Sequence, residues 1–242
     1  MQVPQTPRPP QGHPVIVQAG ASEDGRAFAA RHAEVIFTAQ QDLGEAKAFA
    51  SDIRRRAVAA GRDAGDVLVM PGIMPFVAKT RAEAQAAHDA LGDLVDPRQV
   101  LGLLSAFLGL DASGFDLDGP LPKLPPTEGW QSRQQLFVDL ARREGLSVRQ
   151  LVARIVSARG HKVLIGTPEQ IVDELETWFR EGAADGFNIL PPTLPAGLDA
   201  FVDQIVPELR RRGLLAAEPT PATLRQRLGL KRPVAQPAFI PA

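Results

Sequence analysis

The stretch that decides the fold covers residues 13–38 and reads HPVIVQAGASEDGRAFAARHAEVIFT. It opens with a short β-branched run at 15–17, which is typical of a buried strand in a parallel sheet. A helix is predicted over 23–32, and a second β-branched run at 35–38 follows it directly. Strand, helix and strand in this order predict a βαβ unit, in which the two strands are parallel.

Ser22 is predicted to be the N-cap of the helix, because its hydroxyl can accept a hydrogen bond from a free amide of the first turn. Phe28 and Ala29 are predicted to face inward. The same alternation of strand and helix continues along most of the chain. The first strand is predicted near 14–18. Further helices are predicted at 45–60, 80–91, 168–181 and 198–212, and further strands at 67–71 and 187–190. Capping boxes are predicted at Thr80 and Thr167, Phe179 is predicted to be buried, and Pro207 is predicted to bend the last of these helices.

The alternation is interrupted between residues 97 and 165. This block contains a loop rich in Gly and Pro and two predicted helices, at 132–144 and 147–158, each opening with a Ser-x-x-Gln capping box. No strand is predicted in it, so it is interpreted as a helical insertion. Four βα units remain outside the insertion. A closed barrel of this type needs eight, which leaves an open sheet or half of a barrel.

These elements divide the chain into three parts. Four prolines in residues 1–12 predict an extended N-terminal segment, since each ring fixes φ and disfavours a helix before it. The α/β part with its insertion covers 13–213. Residues 214–242 are predicted to form a C-terminal tail with one short helical piece near 223–228.

Composition excludes several classes of protein. With 27 Lys+Arg against 28 Asp+Glu, the chain lacks the cationic excess of a nucleic-acid-binding surface. The absence of Cys excludes disulfides, thiolate metal sites and cysteine nucleophiles, and agrees with a reducing compartment. There is no run of 18 apolar residues, and the start is polar and Pro-rich. We expect a soluble cytoplasmic protein that binds neither nucleic acid nor membrane.

The turn Ala19-Gly20-Ala21-Ser22 is the strongest candidate site. It follows a strand and opens a helix, so backbone N–H groups and a hydroxyl lie at the positive end of a helix dipole, which is what phosphate binding requires. A structural role for Ser22 as an N-cap and for Gly20 as a tight turn is the alternative. Glu23 and Asp24 would repel a phosphate if they pointed toward it.

The other residues that could carry chemistry show no catalytic or metal-ligating spacing, so no catalytic residue and no metal are assigned. The histidines lie far apart in sequence, at His13, His32, His88 and His161. Trp130 and Trp178 fit core packing better than a flavin or substrate cavity. The arginine triplets at 54–56 and 210–212 are interpreted as solvated helix faces rather than partner sites.

Several motifs in order resemble one family. Residues 12–33, with 163–171 (VLIGTPEQI), 185–192 (DGFNILPP) and 224–230 (LRQRLGL), are similar to the bacterial-luciferase-like FMN-dependent monooxygenases. Within them the likeness is greatest to the group of nitrilotriacetate, alkane and dibenzothiophene-sulfone monooxygenases. The resemblance covers roughly 11–233.

The resemblance implies a partial TIM (βα)8 barrel, consisting of the last four βα units with a helical insertion. Family members are longer, and their contacts to the flavin ring come from the first half of the barrel. The equivalent of the turn at 19–22 holds the FMN phosphate in the family. Reduced FMN comes from a separate flavin reductase and is used with O2 on a small organic substrate such as an amine, sulfone or alkane.

Two other readings remain open from the sequence. The first alternative is a non-catalytic half-barrel remnant, or a subunit that pairs with a second chain. That second chain would be an N-terminal half-barrel chain or another copy of this chain. The second alternative is a phosphate-binding α/β protein unrelated to flavin. Under the leading interpretation, the chain alone is expected to be inactive.

Overall fold

The computed structural model describes residues 8–94, 96–126, 131–152, 160–216 and 223–234. Within these ranges, five strands form one sheet in which every pairing between strands is parallel. The strands are β1 (Val17–Ala19), β2 (Val35–Thr38), β3 (Leu68–Val77), β4 (Lys162–Gly166) and β5 (Asn188–Ile189). An α/β fold with a parallel sheet, as the sequence predicts, is therefore confirmed.

The helices lie between the strands and after the last strand along the chain. They are α1 (Glu23–His32), α2 (Leu43–Ala59), α3 (Arg81–Asp93), α4 (Pro97–Leu108), α5 (Gln131–Glu144), α6 (Pro168–Arg180), α7 (Ala196–Ala200), α8 (Val206–Arg211) and α9 (Leu224–Arg227). Residues 148–152 are also helical. The capping boxes predicted at Thr80 and Thr167 are confirmed, because each hydroxyl accepts a hydrogen bond from the amide three residues later.

Strand β3 is the centre of the sheet and is longer than the sequence predicts. The sequence predicts a strand region at 67–77 that Pro71, Gly72 and Pro75 interrupt, with the strand itself at 67–71, since proline cannot donate to a neighbouring strand. It runs on to Val77 because its two halves have different neighbours. Residues 68–71 pair with β2, residues 73–77 pair with β4, and Gly72 and Ile73 pair with β5.

The prediction that residues 97–165 contain no strand is wrong, because β4 occupies 162–166. Its three consecutive apolar residues, 163–165, give a weak local signal. The strand is formed by a non-local pairing with the second half of β3. The helical part of the insertion packs around a hydrophobic cluster of its own, in which Phe107 and Phe137 lie with ring centroids 5.5 Å apart.

Strand β1 also differs from the prediction. It begins at Val17 rather than near residue 14, and it is not buried, since Val17 is 60% exposed. β1 is the end of the strand order and has β2 as its only neighbour among the described strands. One edge and one face of this strand are consequently open to solvent.

The main core lies between the sheet and its helices. Small side chains of α1, Ala29 and Ala30, are buried there, whereas Phe28 is 57% exposed and packs on His32. The prediction that Phe28 faces inward is therefore wrong, because alanines allow α1 to lie close to α2. On α6, Trp178 is buried and Phe179 is 49% exposed, which corrects the predicted burial of Phe179.

At the bend predicted at Pro207, the structure has a wider helical turn just before the proline. Phe201–Ile205 is a π-helical segment between α7 and α8, and the amide of Val206 donates to the carbonyl of Phe201. A proline ring clashes with the carbonyl four residues before it, so widening the turn just ahead of Pro207 relieves the clash.

Candidate functional site

The candidate turn lies where the sequence predicts it, between the carboxyl end of β1 and the start of α1. Ser22 is confirmed as the N-cap, since its Oγ accepts a hydrogen bond from the amide of Gly25 at 3.2 Å. The amides of Glu23 and Asp24, at the first two helical positions, have no partner within an α-helix at this end. Ala19 and Ser22 are exposed, so the turn is open to solvent.

Two glycines bring the turn and the helix into close contact, and only Gly20 is recognised from the sequence. A Cβ added to Gly25 would lie 3.0 Å from Ser22 Oγ and 3.3 Å from the carbonyl carbon of Gly20. A Cβ added to Gly20 would lie 2.6 Å from the Gln18 side-chain nitrogen. Gly20 thus makes room for the Gln18 side chain, and Gly25 allows the turn to lie close to the first amides of α1, which is where a phosphate would be bound.

The carboxylate of Glu23 is directed away from the turn. Both of its oxygens accept hydrogen bonds from Arg56 of α2, at 2.7 and 3.0 Å. The hydrogen bond from Arg56 holds the pKa of Glu23 below its ordinary value. Arg56 also pairs with Asp52 at 2.8 Å. The repulsion expected from Glu23 is thus offset by an arginine.

Arg26 joins the turn to α2, a contact that the sequence does not indicate. Its Nε donates to the carbonyl of Ala21 at 2.9 Å, and its Nη1 lies 3.4 Å from Asp52. Its guanidinium lies 4.9 Å from the centre of the Phe49 ring, within the range of a cation–π interaction.

A second group of residues lies beside the turn on the face of the sheet that the α1–α2 layer does not cover. Ala19 pairs with Phe37, and Phe37 with Met70, so their side chains form one row across three strands. His161 is 6% exposed and stacks on Phe37, with ring centroids 4.8 Å apart. A Cβ at Gly72 would lie 2.5 Å from His161 Nδ1, so this glycine makes room for the imidazole.

The other histidines are dispersed in the fold as they are in the sequence. His13 contacts Arg225, His32 packs on Phe28, and His88 packs edge-on against Phe76 and contacts Asp89. Within the part of the chain that the structure describes, no three His, Asp or Glu side chains come close enough together to hold a metal ion.

Trp178 matches its predicted role in the core, whereas the arginines of the two triplets differ from one another in their environment. Trp178 belongs to the core and donates to Glu174 at 3.0 Å, whereas Trp130 lies outside the described residues. Arg55 is 74% exposed, as expected of a solvated face. Arg54 and Arg212 instead make ion pairs between elements, with Asp185 and with Asp173. Spacing alone does not distinguish these two roles.

No helix among the described residues combines the length and the apolar character needed to cross a bilayer.

Comparisons with known proteins agree on one family. The family model described as luciferase-like monooxygenase matches residues 1–186. Nitrilotriacetate monooxygenase component A of Aminobacter aminovorans is 52% identical over 237 residues, which are 96% of this chain and 52% of that protein. Dibenzothiophene-sulfone monooxygenase of Rhodococcus erythropolis is 37% identical over 96% of this chain and 52% of its own length.

A solved structure is also matched over about half of its length. Riboflavin lyase with modified FMN and its substrate riboflavin superposes with a TM-score of 0.79 at 33% identity, covering 94% of this chain and 50% of that one. The chain thus spans about half the length of the relatives that it matches.

Proposed function

Because this chain belongs to the luciferase-like monooxygenase family, we propose that it is the C-terminal half of an FMN-dependent monooxygenase. In this proposal, residues 13–213 are the last four βα units of a (βα)8 barrel, with the insertion at about 97–165. The open parallel sheet supports this reading, as does the half-length match to relatives. The alternative of an unrelated phosphate-binding α/β protein has lost its support, since the family match includes the turn itself.

The observation that carries the proposal is the fit of the turn at 19–22 to a phosphate. Gly25 allows the turn to lie against the first amides of α1, Ser22 adds a hydroxyl, and the carboxylate of Glu23 is paired with Arg56. An anion placed here meets free amides at the positive end of a ten-residue helix. The residues present therefore fit the phosphate of FMN.

In this assignment Ala19, Gly20, Ala21 and Ser22 hold the phosphate and fix the position of the cofactor at the carboxyl ends of the strands. When bound, reduced FMN would supply the reaction with O2. The sheet would exclude water from one side of the cofactor, and the missing units would exclude it from the other. The name "component A" of the nitrilotriacetate relative supports delivery of reduced FMN by a separate flavin reductase.

The substrate class is a small organic molecule such as an amine, a sulfone or an alkane. Relatives named for nitrilotriacetate and for dibenzothiophene sulfone support this range. A single substrate is not assigned, because the proposed pocket requires the other half of the barrel.

A subunit that pairs with another chain is the second candidate, and the exposure of β1 favours it. Val17 begins the terminal strand and Ile16 directly precedes it, and these two apolar side chains are 60% and 43% exposed. An exposed strand edge of this kind is a template for pairing with a further strand. The pairing chain would be an N-terminal half barrel or a second copy.

Titration of the chain with oxidised FMN, followed by quenching of flavin fluorescence, tests the proposal. We expect weak, saturable binding that inorganic phosphate displaces, because the ring contacts are absent while the phosphate contacts are present. Binding that phosphate does not displace, or no binding at all, would contradict the assignment of the turn.

A further inference from the structure

Arg26 has a role that the family resemblance and the sequence leave unassigned. It occupies the first turn of α1, but its side chain turns back to the loop before the helix. Its Nε donates to the carbonyl of Ala21 at 2.9 Å, and its backbone amide donates to the carbonyl of Ser22 at 2.8 Å. Arg26 therefore contacts two consecutive peptide groups of the candidate turn.

The first of these contacts determines where an amide points. The peptide bond between Ala21 and Ser22 is trans. In a trans peptide the carbonyl oxygen and the following N–H point in opposite directions. Since Arg26 holds the Ala21 carbonyl toward itself, the Ser22 N–H points away from Arg26, on the opposite side of the peptide group.

The guanidinium is itself held in place from the α2 side. Asp52 lies 3.4 Å from Nη1, and the Phe49 ring lies under the guanidinium at 4.9 Å. The planar fork of an arginine can make the Ala21 and Asp52 contacts together, whereas the ammonium of a lysine is a point charge without this fixed geometry. The orientation of the Ser22 amide thus depends on the shape of the side chain as well as on its charge.

We propose that Arg26 is a positioning residue for phosphate binding: it holds the Ala21 carbonyl so that the Ser22 amide is directed at the phosphate. This inference rests on the proposed function, in which the turn at 19–22 holds the phosphate of FMN. Arg26 itself does not touch the ligand. It keeps a carbonyl oxygen, which would repel an anion, away from the site.

Comparison of FMN with riboflavin, which lacks the phosphate, tests this role. The ratio of the riboflavin dissociation constant to the FMN dissociation constant, measured by fluorescence quenching, reports the contribution of the phosphate alone. Loss of one charge-assisted hydrogen bond weakens binding by about tenfold or more. We expect Arg26→Gln and Arg26→Lys to lower the ratio by about tenfold. Arg55→Gln, which removes another arginine partner of Asp52 away from the turn, should leave the ratio unchanged.

The outcomes separate the inference from the proposal on which it rests. If the Arg26 variants weaken both flavins equally, or keep the wild-type ratio, the positioning role is wrong and the phosphate site stands. If Arg26→Lys alone restores the ratio, charge suffices and the inference fails. If the wild-type chain binds neither flavin, or binds both with equal affinity, the proposed function itself fails, and the inference fails with it.

Discussion

Arg225 and Glu34 form an ion pair that is almost completely enclosed, although 191 residues separate them in the chain. Arg225 is 1% exposed and donates to both carboxylate oxygens, and it also donates to the backbone carbonyls of His13 and Lys231. The same carboxylate accepts a hydrogen bond from the Ile16 amide at 2.9 Å. The C-terminal helix α9 is thereby fixed to the amino ends of β1 and β2.

Arg225→Ala should destabilise the chain by about 3 kcal/mol, the lower end of the range for breaking a buried pair, because Glu34 keeps some exposure. The loss arises mainly from a carboxylate left without its partner. Thermal or urea unfolding would measure it. Arg232→Ala, at an exposed arginine seven residues farther along the chain, is the matched control and should change stability by less than about 0.5 kcal/mol. Equal effects of the two changes would contradict this role.

Glu34 should also affect how the free energy of unfolding depends on pH in the acid range. Burial alone would raise the pKa of Glu34, but hydrogen bonds from Arg225 and the Ile16 amide hold it below the ordinary 4.5. A lowered folded pKa gives stabilisation that is complete above the unfolded pKa and is lost as pH falls through the folded one. Glu34→Gln should therefore be less stable at pH 7 and show a shallower loss below pH about 4.5. Parallel curves for the two proteins would rule this out.

Ser22→Ala tests the phosphate site. Loss of a hydrogen bond to a charged group costs about 1.5 to 3 kcal/mol, so FMN binding should weaken by about 10- to 150-fold. The same change removes an N-cap worth about 1 kcal/mol, so the melting temperature must be followed as well. Thr223→Ala removes the cap of α9, away from the turn, and serves as the control. A lower melting temperature with an unchanged FMN dissociation constant would leave Ser22 as a cap only.

Gly72→Ala should lose stability because its methyl group would overlap His161 and Phe37, at 2.5 and 2.8 Å. Overpacking of this kind costs about 1 to 3 kcal/mol. Gly92→Ala has open space around it and lies in α3, so it should be neutral or stabilising by up to about 1 kcal/mol. His161→Ala should remove most of the penalty of Gly72→Ala in the double variant. Additive effects of the two changes would show that the clash is relieved elsewhere.

The state of assembly should reflect the open edge of β1. We expect a homodimer, a complex with a complementary half barrel, or poor solubility, measured by light scattering on freshly purified protein. Val17→Lys places a charge on this strand and should shift the protein toward monomer. Val234→Lys, at another exposed valine far along the chain, should not. A wild-type chain that is a stable monomer at micromolar concentration would show that the edge is protected.

The isolated chain should show no flavin-dependent oxygenation, since one side of the cofactor would be open to water. Product formation with reduced FMN, O2 and a panel of amines and sulfones measures this. Addition of the first four βα units of a full-length relative, expressed separately, should restore turnover if the chain is a catalytic half. Turnover by the chain alone would contradict the half-barrel proposal.

Local signals in the sequence are sufficient for the features that depend on neighbours a few residues away. Ser22, Thr80 and Thr167 cap their helices as predicted, because the bonded amide lies three residues farther on. Strand β4 and the Arg225–Glu34 pair depend on partners about 90 and 191 residues away. No short segment of the sequence contains both members of such a contact, so the sequence predicts neither feature.

The features of the candidate site also divide into those that depend on nearby residues and those that depend on distant ones. The strand–turn–helix pattern around Gly20 is local, and the sequence predicts it correctly. The orientation of Glu23 toward Arg56 and the contact of Arg26 with Asp52 require α2 to lie against α1. The stacking of His161 on Phe37 requires the chain after the insertion to return to the sheet. These contacts depend on packing between elements, which helical and strand periodicity does not specify.

The pairing of β3 with three other strands determines how the sheet can unfold locally. Its ten residues pair with β2, β4 and β5 in turn, so no neighbour can leave without breaking bonds to this strand, and β3 cannot open without releasing all three. Local opening is therefore available to β1 at the end of the order, whereas β3 opens only when the sheet unfolds as a unit. In hydrogen–deuterium exchange, the paired amides of β3 should exchange last and those of β1 first.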